Sequence, residues 1–151
     1  MAGTAATVHA SAVLVGARAV LIRGPAGSGK SRLALDLIQA ARSGTLTFAR
    51  LVADDRVVLT PSHGRLLARP SEALAGLIEV RGLGIRRLDH EAVAAVGLVV
   101  DLAVLGAPRL PEAQDQKAEI SGINLPRLAI AEGAVALPSV LAFHLTKEPE
   151  S

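Results

Sequence analysis

A chain of 151 residues with 50% hydrophobic side chains lies in the usual size range of one domain and can bury a core of its own. Its aromatics are Phe48 and Phe143 alone, which leaves no platform for stacking nucleobases, and sixteen basic against fourteen acidic residues give a net charge of +2, too small an excess to argue for a nucleic-acid surface. It has no cysteine, which excludes disulfides and thiolate metal sites and fits a reducing compartment.

The N-terminal run Met1 to Thr7 lacks the basic segment of a secretory signal, and charges or prolines interrupt every apolar stretch of the length a bilayer requires, about 20 residues. The expected setting is therefore cytoplasmic, with no membrane and no nucleic-acid partner. Ala12 to Val15 and Ala19 to Ile22 are short apolar runs either side of Gly16-Ala17-Arg18, which predicts two strands joined by a tight turn. From Ser31 to about Ala41, apolar residues at Leu33, Leu35, Leu37 and Ile38 sit among helix formers, and Gly44 supplies a stop. Leu51-Val52-Ala53 leads through Asp54-Asp55 to Val57-Val58-Leu59 and reads as a buried strand whose end or following turn carries two acids. Pro61 to Gly64 reads as a turn, Arg65 to Ala68 as a return strand, and Leu77 to Arg81 as a strand that meets a backbone bend at Gly82-Leu83-Gly84. A strand is expected at Leu98 to Val104, then a long mobile loop from Gly106 to Asn124 on account of Pro108, Pro111 and many polar residues. Leu125 to Ile130 reads as the last strand and Leu137 to His144 as a terminal helix with Pro138 in its first turn. No repeat and no linker divides the chain, so residues 1–151 are read as one α/β domain.

Between the second strand and the first helix lies Gly24-Pro25-Ala26-Gly27-Ser28-Gly29-Lys30-Ser31, which fits the phosphate-binding pattern G-x-x-x-x-G-K-[ST]. Glycines let the backbone curl so that its N–H groups face phosphate oxygens, and the helix that follows offers its positive end to the same anion. In that pattern Lys30 reaches the β- and γ-phosphates of ATP and Ser31 holds Mg²⁺. Phosphoryl transfer further needs a carboxylate for the acceptor, and Asp54-Asp55 supplies two, which on extended backbone would point to opposite sides. One would then face the metal and the other the acceptor. His9, Glu79 and Arg81 carry no role from local sequence alone, and His63, His90 and His144 lack ligand spacing, so no zinc site is expected.

Taken together, His9 fifteen residues ahead of Gly24, the loop Gly24 to Ser31, the run Leu51 to Val57 and the segment Ile78-Glu79-Val80-Arg81-Gly82-Leu83-Gly84-Ile85 resemble the catalytic domain of the HPr kinase/phosphorylase family. The segment with Glu79, Arg81, Gly82 and Gly84 resembles that family's signature. The resemblance implies a P-loop kinase of the HPr kinase and phosphoenolpyruvate carboxykinase-like type, with a mixed sheet and flanking helices, assembled as a hexamer. It implies an ATP- and Mg²⁺-dependent serine kinase acting on HPr or an HPr-like phosphocarrier of the phosphotransferase system. By position, Lys30 and Ser31 would bind phosphates and Mg²⁺, Glu79 would assist the metal, and Asp54 and Asp55 would supply the base and a metal contact, with Asp54 favoured as base and Asp55 as the metal-side acid. His9 would sit beside that base, and Arg109 is the best match to the family's later phosphate-contacting arginine.

The sequence departs from the family pattern twice. It starts just before the catalytic part, as in the short proteobacterial form without the N-terminal domain, and Ile130 to Val135 contains no arginine where the family's phosphorolysis segment carries one. Weak phosphorolysis is the corresponding expectation. Two other readings of the same loop are a small-molecule kinase and a nucleotide-sensing module that transfers nothing.

Overall fold

The computed structural model describes residues 7–149. Strands β1 (Thr7–Val8), β2 (Ala10–Val15), β3 (Arg18–Arg23), β4 (Ala49–Ala53), β5 (Val57–Ser62), β6 (Arg65–Pro70), β9 (Ala94–Val104), β10 (Lys117–Ile120) and β11 (Ile123–Ala131) form one mixed nine-stranded sheet, while β7 (Leu77–Val80) and β8 (Gly84–Arg87) make a separate hairpin. Helices α1 (Lys30–Arg42) and α2 (Leu137–Leu145) complete the fold.

Strand order runs β1-β5-β6-β9-β3-β2-β4, and β9 carries the branch point. One edge of β9 pairs in parallel with β3; its other edge pairs antiparallel with β6 at Ala94–Ala95 and then, further along, in parallel with β11 from Val99 onward. Eleven consecutive residues serve three partners, which requires the sheet to curl. The strand is longer than expected from the sequence, where only Leu98 to Val104 stood out.

Alternation along the strands divides the interior in two. Val13, Val20, Ile22, Leu98, Val100 and Leu102 face α1 and meet its Leu33, Ala34, Leu37 and Ile38. Their neighbours in sequence, Ala12, Ala19, Leu21 and Val99, line the opposite face with Val52, Val57, Leu66, Val96 and Leu125. Helix α1 buries Leu33, Ala34, Leu37, Ile38 and Ala40, the three- and four-residue spacing of one helix face. It ends as expected at Ser43 and Gly44, the latter with φ 86.

The structure corrects the sequence reading in three places. Gly106 to Asn124 is not one loop: it holds a 3-10 turn (Ala113–Gln116), β10 and the start of β11. Lys117 to Ile120 pairs antiparallel with Ile123 to Pro126 around Ser121-Gly122, whose φ values of 52 and 78 belong to a two-residue hairpin turn of twist matching the strands. Pro61 lies inside β5, paired with Leu66, and the turn narrows to His63-Gly64 with φ 51 and 78. Finally, the run Leu51 to Leu59 is two strands broken at Asp54–Arg56, where the Arg56 N–H donates to the Asp54 carbonyl at 2.8 Å.

Because Leu37 has no exposed surface and sits at the centre of the helix–sheet layer, Leu37→Ala should lower unfolding free energy by about 3 kcal/mol, read from the shift of a urea midpoint at constant slope.

Candidate active site

Strand direction explains why distant residues meet. Strand β2 is antiparallel to both β3 and β4, and β3, β9 and β11 are parallel, so β3, β4, β9 and β11 all point their C-terminal ends the same way. At that end the chain leaves β3 into Gly24–Gly29, leaves β4 into Asp54-Asp55, leaves β9 into the segment with Arg109, and enters β2 from His9.

The phosphate loop is shaped for a guest. Gly27 and Gly29 have φ 79 and 98, which side-chain-bearing residues rarely adopt. A Cβ at Gly24 would lie 2.5 Å from Ser28 Oγ and 3.1 Å from Leu102 Cβ, so a side chain there would displace the serine that the loop folds over. Ser28 Oγ is buried without a hydrogen-bond partner, an unusual state that an incoming phosphate oxygen would satisfy. The Lys30 ammonium folds back to donate to the carbonyls of Gly24 at 2.8 Å and Pro25 at 3.2 Å, which keeps the cation at the loop.

Asp54 is 5% exposed and fully engaged. Its carboxylate accepts from Ser31 Oγ at 2.7 and 2.9 Å, from Ser11 Oγ at 2.7 Å and from the Glu79 backbone N–H at 3.2 Å. Asp55 is the opposite case: its side chain is 62% exposed, its φ is 66, and its Oδ1 lies 3.8 Å from His9 Nδ1. The two acids do diverge, but through a left-handed bend and not through the pleat of an extended strand. Asp54 is thus the acid at Ser31 and Asp55 the one beside His9.

Glu79 and Arg81 are exposed, and only the Glu79 amide touches the acids. Gly82 and Gly84, with φ 81 and 100, form the expected bend of the β7–β8 hairpin. Arg109 is exposed, five residues beyond the end of β9 and without an ion pair among the described residues. No cluster of three or more His, Cys, Asp or Glu occurs among the described residues, and no helix there is long and apolar enough to cross a membrane.

Sequence reasoning missed two parts of this end. Ser11 is one. The other is Asp101, on β9 opposite Arg23, which accepts both Arg23 guanidinium bonds at 2.7 and 2.8 Å and a further bond from Arg127 Nε. Arg127 also donates to the Asp115 carbonyl at 3.0 Å, so this triad ties the root of the phosphate loop to the segment following Arg109. Burial opposes the charge on Asp101, yet the bonds from Arg23 and Arg127 outweigh it and hold its carboxyl below the usual carboxylate range.

The chain matches the family profile of the HPr serine kinase C-terminal domain over residues 2–132. It belongs to that family. It is 42% identical over 138 residues to an HPr kinase/phosphorylase of Streptococcus thermophilus, a match that covers 82% of this chain and 41% of that protein. A Clostridium tetani HPr kinase/phosphorylase is 37% identical over 87 residues, covering 58% of this chain and 26% of that protein. The chain thus spans less than half the length of these relatives. The solved HPr(Ser) kinase/phosphatase from Coxiella burnetii superposes with a TM-score of 0.71 at 26% identity, covering 91% of this chain and 86% of that one. The mixed, curled sheet with few helices is the fold of that structure, as the resemblance implied.

The Asp101 triad has a consequence for acid stability. A carboxyl whose folded-state pKa is depressed contributes stability above its unfolded value and loses it as pH falls through the folded value. Asp101→Asn should therefore destabilise the protein at neutral pH by about 2 kcal/mol, with the difference from the unaltered protein shrinking below about pH 4, as followed by thermal melts across pH.

Proposed function

We propose that this protein transfers the γ-phosphoryl group of ATP to a serine hydroxyl of an HPr-like phosphocarrier. The observation that carries the reading is the seam at Ser31 and Asp54, where the phosphate loop and the acid pair share hydrogen bonds of 2.7 and 2.9 Å. Family membership and the relatives' names point to the same acceptor class.

In this reading the amides of Gly27 to Ser31 and the Lys30 ammonium hold the triphosphate and offset the charge that spreads over its terminal oxygens. A single Mg²⁺ ion completed by phosphate oxygens and water requires only one or two protein oxygens, which Ser31 and Asp54 would provide with Glu79 nearby. Bound there, it would draw charge from the β- and γ-oxygens. Asp55 is the acceptor's base: it is open to solvent, free of donors from the core, and flanked by His9, whose imidazole steadies the carboxylate and the proton it receives. Asp54 suits that task less, because donors occupy both of its oxygens. Arg109, exposed five residues past the C-terminal end of β9, is in this reading a further cation for the same phosphates.

Incubation with a folded phosphocarrier, ATP and Mg²⁺ should add one phosphate to the carrier by intact mass; no added mass would reject the assignment, and turnover of a metabolite in its place would favour the small-molecule reading. Lys30→Ala should cut the rate at least about 100-fold. Asp55→Asn should cut kcat by about 100-fold or more while nucleotide still binds by calorimetry, and near-normal transfer by that variant would return the base role to Asp54.

The return direction is expected to be weak. Ile130 to Val135 spans the C-terminal end of β11 and the turn after it, at this same end of the sheet, and offers no guanidinium to inorganic phosphate. Phosphorylated carrier with excess phosphate should yield little pyrophosphate, and rapid formation would overturn this expectation.

A further inference from the structure

Ser11 and Asp54 are the polar residues buried as a whole among the described residues. Ser11 stands in β2 between Ala10 and Ala12, paired in register with Ile22, and none of its surface is exposed. A hydroxyl in such surroundings must be partnered. Both partners belong to the acid pair: Ser11 Oγ donates to Asp54 Oδ1 at 2.7 Å and accepts the Asp55 backbone N–H at 3.3 Å.

The geometry points to Ser11 as a positioning residue that locks Asp54 and Asp55 into one fixed relation. Its single oxygen grips the side chain of the first acid and the main chain of the second. Asp55 sits in the left-handed region at φ 66, a conformation that aspartate reaches more easily than most residues but still at some cost, and the bond to Ser11 helps to hold it there. Register places the bond well: β2 and β4 pair at Ala12 and Ala53, with a shift of register beside that pair, so position 11 is the point on β2 facing the bend. Without the hydroxyl, the Asp55 amide has no acceptor there, and the bend can relax and carry the Asp55 carboxylate away from His9. The mechanistic part of this inference rests on the roles given above to Asp54 and Asp55; the structural part does not.

Ser11→Ala removes one oxygen and adds no bulk. By hydrogen–deuterium exchange, the Asp55 amide should exchange about tenfold faster in Ser11→Ala, with the Val52 amide unchanged. Transfer to the carrier should fall about tenfold in kcat per folded molecule, with the KM for ATP within about twofold of the unaltered protein. In an Asp55→Ala background the same substitution should cost less than about twofold, since there is no carboxylate left to place. Ser11→Cys, nearly isosteric and a weak donor, should fall between serine and alanine and replaces the alanine variant if that one does not fold. Unchanged exchange at Asp55, an undiminished kcat, or independent multiplication of the two substitutions would each overturn the proposal. If the unaltered protein transfers no phosphate to the carrier, the kinase reading fails while the exchange measurement still decides the role of Ser11.

Discussion

Asp54 is the point on which the site depends. A carboxylate this deeply buried is sustainable only when its lone pairs are occupied, and here three separate segments do so: Ser11 from β2, Ser31 from α1 and the Glu79 amide from β7. Each of those segments brings something of its own to the site. Ser31 closes the phosphate loop, β2 begins next to His9, and β7 leads into the glycine bend. Holding the acid therefore also fixes the separation between the anion cradle and the open acid next door.

The sheet makes that meeting geometrically cheap. Parallel β3, β9 and β11, with β4 running the same way two strands over, collect four loops at one end of the sheet. Ligand sites in open α/β sheets commonly lie beyond the carboxyl ends of strands for this reason. The Arg23–Asp101–Arg127 triad seals the same end from the face opposite α1, and it does so with charge where the neighbouring positions of that face, Leu21, Val99 and Leu125, are apolar. Polar groups at the rim and aliphatic groups beneath are the arrangement expected where a core meets a charged ligand.

What the sequence reveals about this fold is what short spacing encodes. The phosphate loop spans eight consecutive residues, α1 announces itself through Leu33, Leu37 and Ile38, and Asp54-Asp55 follows an apolar run directly. The triad was not legible, because Asp101 lies 78 residues from Arg23 and 26 from Arg127 and only strand register joins them. Ser11 was hidden for the same reason, 43 residues from Asp54. The β10–β11 hairpin differs: Ser121-Gly122 between alternating residues was a readable turn, outweighed by the prolines and polar residues preceding it. The fold's mixed character came through the resemblance, since the branch of β9 toward β6 and β11 leaves no local trace.

The division of labour between the two aspartates follows from backbone conformation, which neighbouring residue types did not disclose. Identical side chains one position apart would on a strand present opposite faces of a sheet, one to core and one to solvent, with similar freedom of movement. The left-handed turn at Asp55 instead lifts that residue off the strand path at a cost on the order of 1–2 kcal/mol for a residue that carries a Cβ. The strain is tolerable because β4 and β5 diverge here in any case, β4 into the layer beneath α1 and β5 toward β1 and β6, so some residue must absorb the change of direction. Placing an aspartate at that corner turns a topological necessity into an exposed carboxylate whose main chain is anchored beside the buried one, the separation on which the proposed division of roles between the two acids rests.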